Sequence, residues 1–474
     1  MASRTTLNAK NLATLGAERL AELLIEISKG SALAKRRLRL ELAGAQSPKE
    51  AGREVAKRLA SIARSKSRVN WRSRKALVTD LETQLRAITE QIAPVDPAEA
   101  LSLLWRFTQI ATSLFDRTDD SSGVLAELFR RAAAQLGPLA MAADGPPETL
   151  AEAAFAALQD NDYGQYDGLI EILTPALGPK GLARLKAKVE AYAAESVVLP
   201  PKSEWRAFGY GSNPAYAQQM AERARARLVQ AALLDLADAM GDVDGFIAQY
   251  DAQARQVPGI AADIAERLLK AGRAAEALAA LDAASVRDAP EEWRAARLAA
   301  LEALGRADEA QAFRLAAFEQ SLSADYLRQY LRRLPDFDDV EAEEAAMDHA
   351  RKHPNVLAAL RFFLDWPAPY AAVELVQARA AEIDGDHYEL LTPAAEALAT
   401  RYPLAATLLL RAMIDFTLRK ARAARYSYAA QHLLDCAVLA AEIPEFGEIE
   451  PHNDYVSRLR RDHSRKSAFW AYFA

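Results

Sequence analysis

Two segments of this chain repeat one another, and together they restrict its fold more than any other feature. GRAAEALAALDAA runs from Gly272 to Ala284 and GRADEAQAFRLAA from Gly305 to Ala317, so the two glycines lie 33 residues apart. In each copy Gly-Arg is followed by one alanine five residues after the glycine (Ala277, Ala310) and by another twelve after it (Ala284, Ala317). Glycine lets a helix end in a left-handed turn, and small alanines let the next helix pack closely on the first. The pattern predicts helix-turn-helix units that bury their apolar faces by stacking on neighbours.

Composition points the same way. Hydrophobic residues make up 51% of the 474 but aromatic residues only 8%, because alanine, the best helix former, supplies much of the apolar count. Strand-forming runs of Val, Ile, Thr and aromatics are almost absent, so an all-α protein is expected. A chain of this length holds two or three domains or one long helical array. The single cysteine, Cys436, excludes an internal disulfide and a cysteine-based zinc site, and within HLLDCAVLAA it is expected to be a buried, inert thiol. MASRTTLNAKNLATLG does not read as a signal peptide. The most apolar run, LAATLLLRAMIDF, is broken by Arg411 and Asp415. A soluble, cytoplasmic protein with no membrane role follows as an expectation.

Charge is unevenly placed. The net charge is −6, yet Lys29 to Lys75 holds fifteen Lys or Arg against three acids, Glu41, Glu50 and Glu54. That stretch carries +12 and leaves −18 for the rest, an asymmetry that points to an anionic partner or to one part of the molecule docking on another.

Three regions are expected. A basic helical region spans 1–94: AERLAELLIEISKG sets Leu20, Leu23, Leu24 and Ile27 on one face, and SPKE opens a helix with Ser47 as cap, Pro48 in the first turn and Glu50 completing a capping box. A helical middle region spans 95–200, ending in the connector VVLPPKSEW. From 201 to 474 the helices come in pairs and end in a capping helix. Turns within pairs are expected near Gly241, Gly272, Gly305, Pro335, Trp366 and Tyr402, at intervals of 31, 33, 30, 31 and 36 residues.

The two Gly-Arg copies resemble the tetratricopeptide repeat, which implies an α-solenoid of helix pairs with a helical N-terminal region before it. The whole chain also resembles an uncharacterised bacterial family of helical proteins. The strings carrying that likeness are RLASIARSKSRVNWRSRKAL, LLWRF, FLDWP, DGDHYELLTPAAEAL, PLAATLLLRAMIDF and YVSRLRRDHSRKSAFW. From about FFLDW onward it is similar to the helical tails of some SWIM zinc-finger proteins, but one cysteine cannot supply the finger, so their zinc-dependent role does not carry over. These resemblances imply a helical repeat architecture and supply no activity.

Candidate sites follow from residue types. Arg64, Lys66, Arg68, Arg72, Arg74 and Lys75 surround Trp71, and basic groups around an aromatic ring suit phosphates and a stacked base. Arg465 and Lys466 with Trp470, near Arg458, Arg461, His463, Phe469, Tyr472 and Phe473, form a basic, aromatic end that either closes the helical stack or adheres to another protein. His349 and His353 share a helix face at metal-binding spacing, but helix-end placement before Pro354 explains them as well. In DGDHYE, Asp386 and Glu389 are expected to form a capping box after a Gly385 turn. Asp119 and Asp120 are read as turn and helix-start residues, and the loop Gly209–Pro214 as a flexible lead into a helix. No nucleophile, base and orienting acid come together, so no catalytic residue, cofactor or metal is expected. The expected role is a scaffold or adaptor for a protein or peptide, and the alternative is a nucleic-acid binder acting through the segment around Trp71.

Overall fold

The computed structural model describes residues 6–199, 201–202, 205, 213–285 and 289–473, with the side chains of Trp71 and Arg72 outside the described set. Helix accounts for 76% of the chain. No strand occurs among the described residues beyond an isolated bridge between Val69 and Thr118, so the protein is all-α. No described helix is long and apolar enough to cross a membrane. The chain forms two compact units, Met1–Ala254 and Arg255–Ala474.

The first unit is organised around one apolar core. Helices Ala32–Gln46, Pro48–Arg64, Pro97–Gln109, Val124–Ala134, Leu169–Ala194 and Pro214–Met240 all contribute to it, so the core runs across the connectors near residues 94 and 200. Phe107 and Phe129 meet at 5.5 Å between ring centroids, and the buried Tyr166 hydroxyl donates to Thr108 Oγ1 at 3.0 Å. Local signals act as read from the sequence: the Ser47 hydroxyl accepts from the Glu50 amide at 3.2 Å with Pro48 next to it. The reciprocal half of the capping box is not made, because Glu50 turns to Arg53 at 2.5 Å and the Ser47 amide donates to Ala43. The Ala17–Ser28 helix forms, but its expected inward face does not go inward: Leu24 is 49% and Ile27 73% exposed. Periodicity specifies a helix and one apolar face, while burial also needs a neighbouring element to cover that face.

The second unit is serial. Its helices begin at Pro258, Glu291, Ala324, Val356 and Tyr388, which places successive starts 33, 33, 32 and 32 residues apart. Each is followed by a second helix, beginning at Ala274, Ala307, Asp338, Pro369 and Pro403. Helices pack on their sequence neighbours and in several cases on the next but one. The five turns expected from Gly272 to Tyr402 all fall between the two members of such a pair.

The turns at Gly272 and Gly305 are built alike. Both glycines sit in the left-handed region, at φ +73° and +68°, where a Cβ would be strained. The amides of Gly272 and Arg273 donate to Leu269 and Leu268, and those of Gly305 and Arg306 to Glu302 and Leu301, which satisfies carbonyls that each helix end leaves open. Arg273 then binds Glu276 at 2.7 Å and Arg306 binds Glu309 at 2.5 Å, so the repeated unit includes an Arg-to-Glu clasp across the next helix's first turn. Ala277, Ala310 and Ala317 are buried, while Ala284 is half-buried. At the position where the first copy buries Leu281, the second buries Arg314, whose guanidinium binds Glu302 and Gln311. Charges inside the apolar run near 411 are also used internally: Arg411 donates to the Glu450 carbonyl at 2.6 Å and lies 4.3 Å from the Tyr455 ring centroid.

Candidate functional site

The 32-residue spacing of helix starts has a local consequence. The N-terminal ends of Ala324–Leu331, Val356–Asp365 and Tyr388–Ala399 line one groove of about 1090 Å³, together with Arg425 just before Tyr426–Ala440. Groove residues therefore recur at the same point in consecutive pairs.

Its polar side chains are held in place. Arg425 binds Asp386 at 2.7 Å and lies 4.6 Å from the Tyr388 ring centroid. Arg328 binds Asp325 at 3.0 Å, donates to the Asp365 carbonyl at 2.7 Å and lies 5.2 Å from the Trp366 ring centroid, while the Trp366 indole donates to Glu343 at 2.8 Å. Each arginine is thus fixed by a carboxylate and an aromatic face, a rigid presentation that a lysine would not give. Asn355 caps its helix, its side-chain oxygen accepting from the Leu357 and Ala358 amides at 3.1 Å each. The other two helices have no side-chain cap at Ser323 or His387, which leaves their first-turn N–H groups open to an acceptor. Arg361 and Glu389 are exposed along the wall, and Tyr388 is 45% exposed among Leu357, Ala358 and Leu390. The arrangement offers donors, acceptors, both charges and an aromatic surface in one trough.

The Asp386–Glu389 capping box is corrected here. His387 occupies the cap position without a side-chain bond, and Asp386 is committed to Arg425. Gly385 answers to close packing: a Cβ there would lie 2.0 Å from the Ala412 carbonyl oxygen. A third element supplied both the arginine and the carbonyl, and spacing within one short motif does not reveal such partners.

The other expected sites are dispersed. In the basic segment Arg64, Lys66, Arg68 and Lys75 are exposed, while the Arg74 guanidinium donates to the Asp119 carbonyl at 2.6 Å. Trp71 and Arg72 open the Trp71–Arg86 helix, and their side chains lie outside the described residues. The backbone before that helix is pinned by Arg117, which donates to the carbonyls of Ile62 at 2.9 Å and Ser67 at 3.0 Å. His349 Nε2 meets the Glu319 carbonyl at 2.9 Å, and His353 Nδ1 accepts from the Asn355 amide at 3.2 Å, so the two rings serve separate partners. The carboxylate of Asp120 accepts from the Leu125 and Ala126 amides at 3.1 and 2.9 Å, as a helix-start residue does. Of the loop Gly209–Pro214, residues 209–212 lie outside the described residues; Asn213 caps the following helix through the Ala215 amide at 2.9 Å.

At the C-terminal end, Phe469 is fully buried against Tyr426 and Trp470 is half-buried under Arg460, with its indole donating to the His463 carbonyl at 3.0 Å. Arg465 is exposed and Lys466 half-buried. Cys436 is buried, and burial pushes its thiol up to about 12.

The groove side chains Arg328, Asn355, Arg361, Tyr388 and Arg425 escaped sequence reading because no two of them are close in the chain. The signal that finds them is the recurrence of helix starts at 324, 356 and 388.

The fold and the groove define a class: an all-helical protein whose paired helices wall a wide polar trough. More particularly, the chain belongs to a family of unknown function, DUF6880, whose pattern matches residues 2–472. No curated protein matches it.

Proposed function

We propose that this protein is a non-catalytic, cytoplasmic scaffold or adaptor that holds a protein or peptide segment in the groove between 321 and 425. In this reading the second unit is a tetratricopeptide-like solenoid, and the likeness to SWIM-protein tails from about FFLDW onward reflects the same stacked-helix architecture. The carrying observation is that three successive helix starts, 32 residues apart, wall one trough of about 1090 Å³. That volume exceeds what a drug-sized ligand fills, roughly 300–1,000 Å³. An extended peptide presents a carbonyl and an amide at every residue, which suits a wall of uncapped helix N-termini and mixed charges. Tyr388 and Leu357 supply apolar contact, and Arg361 and Glu389 select charge. The test is affinity capture from lysate with the wild-type chain and with the pair Arg361→Glu, Tyr388→Ala. A partner retained by the first and lost by the second, at unchanged melting temperature, supports the proposal. Equal retention by both removes it.

The nucleic-acid reading keeps one supporting observation: Arg64, Lys66, Arg68 and Lys75 are exposed and have no carboxylate partner among the described residues. It predicts DNA or RNA binding that weakens steeply with salt and is lost when these four are neutralised. Salt-independent or absent binding ends it.

A further inference from the structure

The +12 stretch contains more than the segment around Trp71. Helices Ala32–Gln46 and Pro48–Arg64 and residue Gln84 of Trp71–Arg86 enclose a cleft of about 330 Å³, lined by Lys35, Arg36, Arg39, Lys57, Arg58 and Gln84. We propose that this cleft binds a small phosphomonoester whose organic part carries hydroxyl groups, such as a sugar phosphate or a mononucleotide.

Charge is the first argument. Five cations meet two carboxylates. Glu54 lies 3.6 Å from Lys57, and Asp80, only 2% exposed at its side chain, is shared by Arg58 at 2.6 Å and Arg36 at 3.2 Å. One carboxylate neutralises one of those two arginines and leaves the other's charge uncompensated. Joining the three helices needs Asp80 and a single arginine. It does not account for Arg39 and Lys35, which are exposed on the rim with no carboxylate partner among the described residues. Guanidinium groups in surplus around a cavity are the arrangement that recognises phosphate, because their planar forks donate two bonds at once.

Unpaired atoms are the second argument, independent of charge. Arg36 Nε and Gln84 Oε1 are both buried and without a hydrogen-bond partner. Gln84 is 3% exposed, and its amide nitrogen is engaged with Asp80 Oδ1 at 3.3 Å. Buried polar atoms are nearly always paired, so an open donor and an open acceptor beside one cavity describe a missing ligand. The donor suits an anionic oxygen, and the acceptor requires a hydroxyl or amine, which a bare inorganic anion such as sulfate lacks. The cavity volume sits at the low end for small-molecule sites, about 300–1,000 Å³, and takes one sugar-sized group rather than a polymer.

The test is calorimetric titration of the full chain with ribose 5-phosphate, glucose 6-phosphate and AMP, against ribose, glucose and inorganic phosphate at fixed ionic strength. At least one phosphomonoester is expected to saturate at one equivalent, inorganic phosphate to bind more weakly, and the uncharged sugars not to bind. Arg36→Gln is expected to weaken that ligand about tenfold, as loss of a charge-assisted contact does. Arg39→Gln and Lys35→Gln weaken it at unchanged melting temperature, and they carry the test if Arg36→Gln fails to fold. Gln84→Leu lowers affinity for the sugar phosphate and leaves that for inorganic phosphate. The proposal is overturned if no phosphomonoester saturates at millimolar concentration, if Arg39→Gln and Lys35→Gln bind as tightly as wild type, or if inorganic phosphate binds as tightly as the sugar phosphates. It is equally overturned if only long single-stranded DNA binds and that binding follows Arg64, Lys66 and Arg68 instead.

Discussion

The two units are made of the same helices but bury them differently. In the first, Leu40 and Leu236 belong to one apolar core, so residues nearly two hundred positions apart depend on each other. In the second, helices lean on their neighbours in sequence, and starts recur every 32 or 33 residues from Pro258 to Tyr388. A shared core resists local change and spreads any damage. A serial array confines damage and exposes repeated ends, and those repeated ends form the groove.

Core truncation is the strongest way to break this contrast. Phe107→Ala removes a fully buried ring from the first unit and is expected to cost about 3–5 kcal/mol in chemical denaturation. Hydrogen exchange is expected to speed up together across the core helices between Leu40 and Leu236. Acceleration confined to the surroundings of residue 107 would count against a shared core. In the second unit, Gly305→Ala forces a Cβ into the left-handed region, at about 1–2 kcal/mol. Faster exchange is expected only in Glu291–Ala303, Ala307–Ser321 and their immediate neighbours; a change reaching Tyr426–Ala440 would mean that the array is not serial.

Smaller effects sharpen the comparison of the two clean repeats. Arg314→Leu places in the second copy the residue that the first buries at Leu281. Stability is expected to change by less than about 1 kcal/mol, because an apolar residue of suitable volume replaces a buried charge. A loss several times larger would make the Glu302 contact essential. The Cys436 thiol, raised by burial, is expected to resist alkylation at pH 8 in the folded chain and to react fully in denaturant. Its sign with pH follows: the unfolded chain gives up this proton first, so stability falls as pH rises from 9.0 towards 12.

Much of this architecture is legible in the sequence, for physical reasons. Gly272 and Gly305 announce their turns because the left-handed conformation is costly for other residues, and Ser47-Pro48 announces a helix start because capping is local. The clasp from Arg273 to Glu276 is local too, yet an Arg and a Glu three apart are common on any helix. Burial is less legible: Leu24 and Ile27 look like core and are exposed, while Arg314 looks like surface and is buried. The sites are least legible, since Arg425 meets Asp386 from 39 residues away and Gln84 meets Arg36 across two helices.

The central claim is that a partner lies across successive helix starts. Hydrogen exchange on the complex of the captured partner with this chain tests it most directly. The prediction is slowed exchange in the first turns of Ala324–Leu331, Val356–Asp365 and Tyr388–Ala399, with their far ends unchanged. Protection confined to the far ends of those helices, or to the Met1–Ala254 unit, would contradict it.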